Sequence, residues 1–166
     1  MKKYIFILIV LLLVCFKFYY KTAFFDGTGK VSENLVPVSK KGLFGYVDKN
    51  NNIVIPLEYK DLGTLRNGLI IARKDEKFGV INLENQFVVP PIYEYISART
   101  NDLFLVGDSQ AKEGIINDKG EVIIPLIYDG ICFSSKNSVI CIKNNDLKYF
   151  QVSSTGAKEL PAPKKS

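Results

Sequence analysis

The sequence predicts an all-β chain made of tandem repeats of about 34–35 residues, with an N-terminal hydrophobic helix ahead of them. Each unit is expected to hold three to four short antiparallel strands, arranged like a propeller blade or as an open β-solenoid. Three observations lead there. Gly45, Gly79 and Gly114 are 34 and then 35 positions apart, and Pro56, Pro90 and Pro125 and Tyr59, Tyr93 and Tyr128 keep the same spacings. The stretches between them are short β-branched and aromatic runs, such as "LIIARK" (69–74) and "FGVINL" (78–83), bounded by polar turns. No helical periodicity follows residue 22. The unit is short for a propeller blade, which usually takes roughly 40 residues or more.

Each position within the unit has a physical reason. Glycine inside a strand pattern marks a bulge or a close approach, here expected to be that of the neighbouring unit. Asp48, Asn82 and Asn117 recur where a strand enters a turn, a place suited to short side chains that bond their own backbone. Pro56, Pro90 and Pro125 cannot donate to a ladder, so they should close a strand at an edge or exit. Tyr59, Tyr93 and Tyr128 are expected to pack between units with their hydroxyls reaching a partner or solvent. The alternative for them is a surface stripe of rings that binds a ligand. Asn67-Gly68 has the chemistry of a two-residue hairpin turn. A degenerate fourth copy follows, in which Gly156 and Pro161 stand 36 positions beyond Gly120 and Pro125, and Phe150 replaces the expected glycine. Three and a half units thus span 36–161.

The ends differ from this body. Residues 36–152 hold 14 Lys plus Arg and 14 Asp plus Glu, so the formal charge of +5 belongs to the two termini. A neutral body carries no electrostatic footprint for phosphates, which argues against nucleic acid as a partner. Lys2 and Lys3 precede an apolar run from Tyr4, and residues 1–22 read as a signal or anchor segment that meets the membrane through residues 4–20. The candidate fates are an uncleaved anchor, a cleaved signal, or lipid modification at Cys15. Each exports the body. Residues 23–35 read as a tether, and 162–166 as a flexible basic tail.

Few constellations carry chemistry. The chain has no His, the commonest general base and metal ligand. Its three Cys show no zinc spacing, and the turns at 48–52 and 117–120 lack the alternating carboxylates of a calcium loop. No nucleophile elbow or phosphate loop is present, so neither catalysis nor a metal or cofactor is expected. Cys132 and Cys141 invite a sharper reading. With Lys136-Asn137 as a two-residue turn, 132 faces 141 in a non-hydrogen-bonded pair, and an exported setting permits a cross-strand disulfide. Two buried thiols acting as small hydrophobes are the alternative.

The stretches "LFGYVDKNNNIVIPLEY", "KFGVINLENQFVVPPIY" and "KEGIINDKGEVIIPLIY" resemble the WG-repeat family, also called the KWG repeat, of bacterial proteins. Phe44, Phe78 and Glu113 stand in the tryptophan place, and the chain has no Trp. The resemblance implies an exported or surface-associated repeat protein without a defined catalytic site. The expected function is a membrane-tethered, non-catalytic module that contacts a protein or a polymer of the bacterial envelope. An accessory enzyme acting on envelope glycan or peptide and a structural spacer are the alternatives. Contact residues are to be sought where the copies differ, and Arg66, Arg99 and Lys136 near the turns are candidates.

Overall fold

The structure is a computed structural model that describes residues 25–100 and 102–163. The expected apolar helix, Cys15 and residues 164–166 of the tail lie outside the described residues. Among the described residues no helix is long and apolar enough to cross a membrane.

The described chain forms sixteen strands in four antiparallel meanders of four strands each. The first sheet holds β1 (Gly27–Thr28), β2 (Leu35–Lys40), β3 (Leu43–Asp48) and β4 (Ile53–Tyr59). The second holds β5 (Asp61–Leu62), β6 (Leu69–Lys74), β7 (Lys77–Asn82) and β8 (Phe87–Tyr93). The third holds β9 (Tyr95–Ala98), β10 (Leu103–Gly107), β11 (Glu113–Asn117) and β12 (Val122–Tyr128). The fourth holds β13 (Gly130–Phe133), β14 (Ser138–Lys143), β15 (Asp146–Ser153) and β16 (Gly156–Leu160). One sheet therefore uses one repeat, and the degenerate copy still completes a sheet. The first sheet belongs to a compact unit that ends at Tyr59, and the other three to a second unit that begins at Lys60.

Turn chemistry sets the hairpins. Asn67-Gly68, Asp75-Glu76 and Asn144-Asn145 each place two successive residues at positive φ, between 49° and 72°. That is the mirror-image turn whose twist matches the flanking strands. The β3–β4, β7–β8 and β11–β12 turns work as their Asx residues suggest. Asp48 Oδ1 accepts from the N–H groups of Asn50 and Asn52, Asn82 Oδ1 from Gln86, and Asn117 Oδ1 from Lys119 and Glu121. Asp108 repeats the device between β10 and β11, accepting from Gln110 and Lys112.

The glycines explain why the third and fourth strands of each repeat do not pair regularly. The register shifts across Gly45, Gly79 and Gly114 and again just after the residue that follows each. A Cβ on these residues would lie 2.5 Å from the Ile55 carbonyl oxygen, 2.6 Å from that of Val89 and 2.8 Å from that of Ile124. The bulge agrees with the glycine pattern, but the close approach is to the outer strand of the same sheet rather than to a neighbouring unit. The fourth sheet supplies the control. Phe150 stands in the glycine place there, and β15 pairs with β16 in unbroken register from Tyr149↔Leu160 to Ser153↔Gly156.

Two further expectations are corrected. The segment read as a tether supplies β1, which pairs Gly27 with Ser39 and Thr28 with Val38. Its six polar residues and two glycines hid a strand of only two residues. Pro56, Pro90 and Pro125 do lie on outer edge strands, but inside them, since β4, β8 and β12 continue to the tyrosine. A proline within an edge strand forfeits no ladder bond when its nitrogen faces away from the sheet.

Within the second unit, adjacent sheets share cores. Val80, Val89 and Tyr93 of the second sheet pack with Phe104, Val106 and Ile116 of the third. From its other face the third sheet sends Leu103, Leu105, Ile115, Ile124 and Tyr128 to Ile131, Val139, Cys141 and Val152 of the fourth. Alternation along β10 thus buries both of its faces, which is why "LFLVG" reads as an unbroken apolar run. Each such side chain contributes on the order of 1.5–3 kcal/mol through burial. Asn117, only 2% exposed, ties the same two sheets together. Its Nδ2 donates to Glu121 Oε2 at 2.6 Å and to the Ser154 carbonyl at 2.9 Å.

Candidate interaction surface

The repeated residues are spent on packing. Tyr59, Tyr93 and Tyr128 are 1%, 9% and 5% exposed, so they form no ring stripe on the surface. Burial raises the hydroxyl pKa of all three, and that of Tyr59 reaches about 12, with Glu58 adding to the shift. Tyr128 also meets the ring of Phe150 edge-on, with centroids 6.3 Å apart. Phe44 and Phe78 face Tyr59 and Tyr93 across the ladder, and Glu113 faces Tyr128. The aromatic of the motif and the tyrosine that ends the repeat are thus cross-strand partners.

Glu113 shows how a carboxylate can stand in an aromatic place. The Tyr95 hydroxyl donates to Glu113 Oε1, and the Ile131 N–H donates to Oε2. Gly107 lies between Tyr95 and Glu113 in the ladder, and its missing side chain leaves room for the Tyr95 ring. Burial, then the hydrogen bond to Glu113, pushes the Tyr95 hydroxyl well above its ordinary range. Both carboxylate oxygens of Glu113 are therefore engaged, Oε1 within the third sheet and Oε2 in joining it to the fourth. Ion pairs recur beside this position. Lys77 pairs with Glu94 and Lys112 with Asp129, in each case the residue before the motif aromatic with the residue after the tyrosine. Asp129 is held below the ordinary carboxylate value by Lys112 and then by the Asn144 N–H. Among the described residues no three His, Cys, Asp or Glu side chains are grouped as metal ligands.

The expected disulfide is overturned. Cys132 pairs with Ile140 and Cys141 with Ile131, one position away from the predicted register. Phe133 and Val139 are the last paired residues, so five residues, Ser134–Ser138, make the loop. Ser134 and Ser135 both direct their N–H groups to the Ser138 carbonyl there. An odd loop in place of a two-residue turn sends the two sulfurs to opposite faces. Both thiols are free, Cys132 exposed and Cys141 buried. Burial, and then the nearby Cys132, pushes the Cys141 thiol up to about 12.

The three candidate contact residues meet different fates at the connections that open each sheet. Lys136 is exposed in the β13–β14 loop. Arg99 places its guanidinium over the ring of Phe133, 5.5 Å from the centroid. Arg66 lines a groove of about 220 Å³ between the second and third sheets. Leu69 and Ile71 of β6, Ala98 of β9 and Phe104 of β10 also line it, and Thr64 and Thr100 add hydroxyls. The Thr100 hydroxyl is committed to Asp102, whose carboxyl it holds below the ordinary value. Two other concavities, along β15–β16 and along β1–β3, each belong to a single sheet. Sequence reasoning found Arg66 but missed the apolar residues around it, because their grouping depends on which faces of β6 and β9 oppose each other.

Antiparallel four-stranded repeats that spend their shared residues on packing define a β-repeat protein. This chain belongs to the WG-repeat family: the pattern described as "WG containing repeat" matches residues 44–78, 78–106 and 114–147, more than half of the sequence. Each match opens on the third strand of one sheet and runs into the next sheet. No curated protein matches the chain. Among solved structures it is similar to the N-terminal domain of Nup159, at 10% identity and a TM-score of 0.46, covering 81% of this chain and 47% of that one. It is also similar to a chain in a complex of S. cerevisiae Dbp5 with Nup159 and Gle1, at 12% identity and a TM-score of 0.45, covering 82% and 47%. The WD40 β-propeller domain of Doa1 follows at 13% identity and 0.39, covering 81% and 52%. The chain spans about half the length of these structures.

Proposed function

We propose that this chain is a non-catalytic interaction module, held at a membrane through residues 4–20 with its repeat body outside the cytoplasm. The groove between the second and third sheets carries the reading, because it gathers an apolar lining and polar rim groups where the other repeated residues are consumed by packing. Surfaces of this kind, set where copies diverge, are how repeat proteins acquire partners. The partner is an exposed protein or an envelope polymer, and the repeats present the groove on a rigid support. Membership in the WG-repeat family supports the same reading.

The test is affinity capture with the full chain in its native membrane, after brief chemical crosslinking and solubilisation. A partner recovered reproducibly, and retained on rebinding at micromolar concentration, is the expected result. Absence of any such partner across replicate preparations overturns the reading. A purified chain that turns over an envelope glycan or peptide would replace it with an enzymatic one.

A further inference from the structure

We propose that the groove between the second and third sheets receives the carboxyl terminus of a peptide whose last residue is apolar. This inference rests on the reading of the chain as an interaction module and specifies the chemistry of the partner.

The next repeat shows what fills the corresponding place. Ala98 pairs with Phe104 in the third sheet, and Phe133 pairs with Val139 in the fourth, with both members shifted by 35 positions. Phe133 is therefore the counterpart of Ala98, and it packs against the core that the third and fourth sheets share. Arg66 and Arg99 lie on the same connection of successive sheets; the Leu69 carbonyl accepts from the Arg66 N–H, and the Leu103 carbonyl from those of both Arg99 and Thr100. Between the third and fourth sheets an aromatic ring occupies the site with a guanidinium over it. Between the second and third sheets the alanine leaves that volume open.

The open groove has no ring at the Ala98 position, where the Phe104 ring is the cross-strand neighbour, and no anion among its lining residues. Its lining residues Leu69, Ile71, Ala98 and Phe104 are apolar, which selects an apolar side chain. The Arg66 guanidinium at the rim is exposed and makes no hydrogen bond or ion pair with another described residue. A planar guanidinium recognises a carboxylate through two parallel hydrogen bonds. At about 220 Å³ the groove falls below the roughly 300–1,000 Å³ of drug-sized sites, and one large residue suits it. An internal acidic residue would carry its carboxylate on one side chain and the neighbouring apolar group on the opposite face of an extended strand. A terminal residue carries both on one Cα. A terminal Phe would lie under Arg66 as Phe133 lies under Arg99.

The experiment uses the full chain in lipid nanodiscs and fluorescent pentapeptides of Gly and Ser that end in Phe or Leu. Each peptide is made with a free carboxylate and as the terminal amide. Saturable binding of the free acids is expected, with at least about tenfold weaker binding of the amides, because a charge-assisted pair is lost. Arg66→Ala should weaken the acids by about the same factor and leave the amides unaffected, while Arg66→Lys keeps part of the affinity. Ala98→Phe copies the filling that the next repeat uses and should abolish binding while the unfolding midpoint stays within a few degrees. If that variant unfolds, the Arg66 pair and the amide arm still decide. Equal binding of acids and amides overturns the proposal, as does binding that survives both Arg66→Ala and a folded Ala98→Phe. If neither peptide binds while crosslinking still recovers a partner whose capture is indifferent to Arg66→Ala, the groove assignment fails and the interaction module stands. If nothing is captured either, both fail.

Discussion

Gly79→Ala offers a direct test of the bulge geometry. The added methyl carbon would lie 2.6 Å from the Val89 carbonyl oxygen and 2.9 Å from two ring carbons of Phe87. The Phe87 ring is half-buried and can turn aside. The carbonyl belongs to β8 and moves only if the β7–β8 pairing moves with it. Overpacking of this kind costs about 1–3 kcal/mol, offset by about 0.4–1 kcal/mol because alanine restricts the unfolded chain. A net loss of about 1–2 kcal/mol is expected. Gly63→Ala, at the start of the same sheet, is the matched control. Its new carbon would meet Ile71 Cβ at 3.5 Å, an ordinary contact, so the unfolded-state term dominates and the variant should gain about 0.4–1 kcal/mol. The two alanine variants should thus differ by about 2 kcal/mol, or about 4–8 °C in melting temperature for a chain of this size. Urea unfolding followed by circular dichroism measures the difference, provided the slope with urea is unchanged. Coincident midpoints, or Gly79→Ala the more stable, would refute the claim that the bulge requires glycine.

Three further outcomes are expected. Glu113→Gln should cost about 1–3 kcal/mol, because an amide cannot accept from both the Tyr95 hydroxyl and the Ile131 N–H. Tyr95→Phe should cost less in that background than in the wild type, and additive losses in a double-mutant cycle would remove the assigned coupling. In the native chain Cys132 should react promptly with a thiol reagent and Cys141 only after unfolding, and a bridged species on non-reducing gels would contradict the assigned register. Alkaline stability should follow the raised pKa values of Cys141 and Tyr59, both about 12 against ordinary values of 9.0 and 10.0. The unfolded chain releases these protons first, so their contribution is intact below pH 9 and is lost as the pH climbs toward 12. Urea midpoints across that range should show a shallower decline between pH 9 and 10 for Cys141→Ala, and an identical decline would count against it.

Much of the fold was legible because it depends on local chemistry that the repeat writes several times. Gly45, Gly79 and Gly114 announce a bulge, Asp48, Asn82 and Asn117 announce their turns, and Asn67-Gly68 announces a tight hairpin. What escaped depended on register or on copies that depart from the pattern. The sequence places Cys132 and Cys141 on one face because "SSKNS" gives no sign that its loop is odd in length. The strand at Gly27–Thr28 is too short to leave a pattern and exists because β2 offers it an edge. The difference between Ala98 and Phe133 is visible at a spacing of 35 residues, yet it acquires meaning only once β9 and β13 are known to hold the same place.

The joints between sheets in the second unit consist of one residue each. Glu94 alone separates β8 from β9, and Asp129 alone separates β12 from β13. Each is fixed twice, by a backbone bond to the second strand of the sheet it enters and by a lysine of the sheet it leaves. Such a joint has no slack to absorb an inserted residue without breaking both ties. Length variation is therefore channelled to the hairpin ends, as the β9–β10 and β13–β14 loops already show beside the tighter turn at Asn67-Gly68. Two of those ends, before β6 and before β10, border the groove, so the rigidity of the joints concentrates divergence on the rim that a partner would meet.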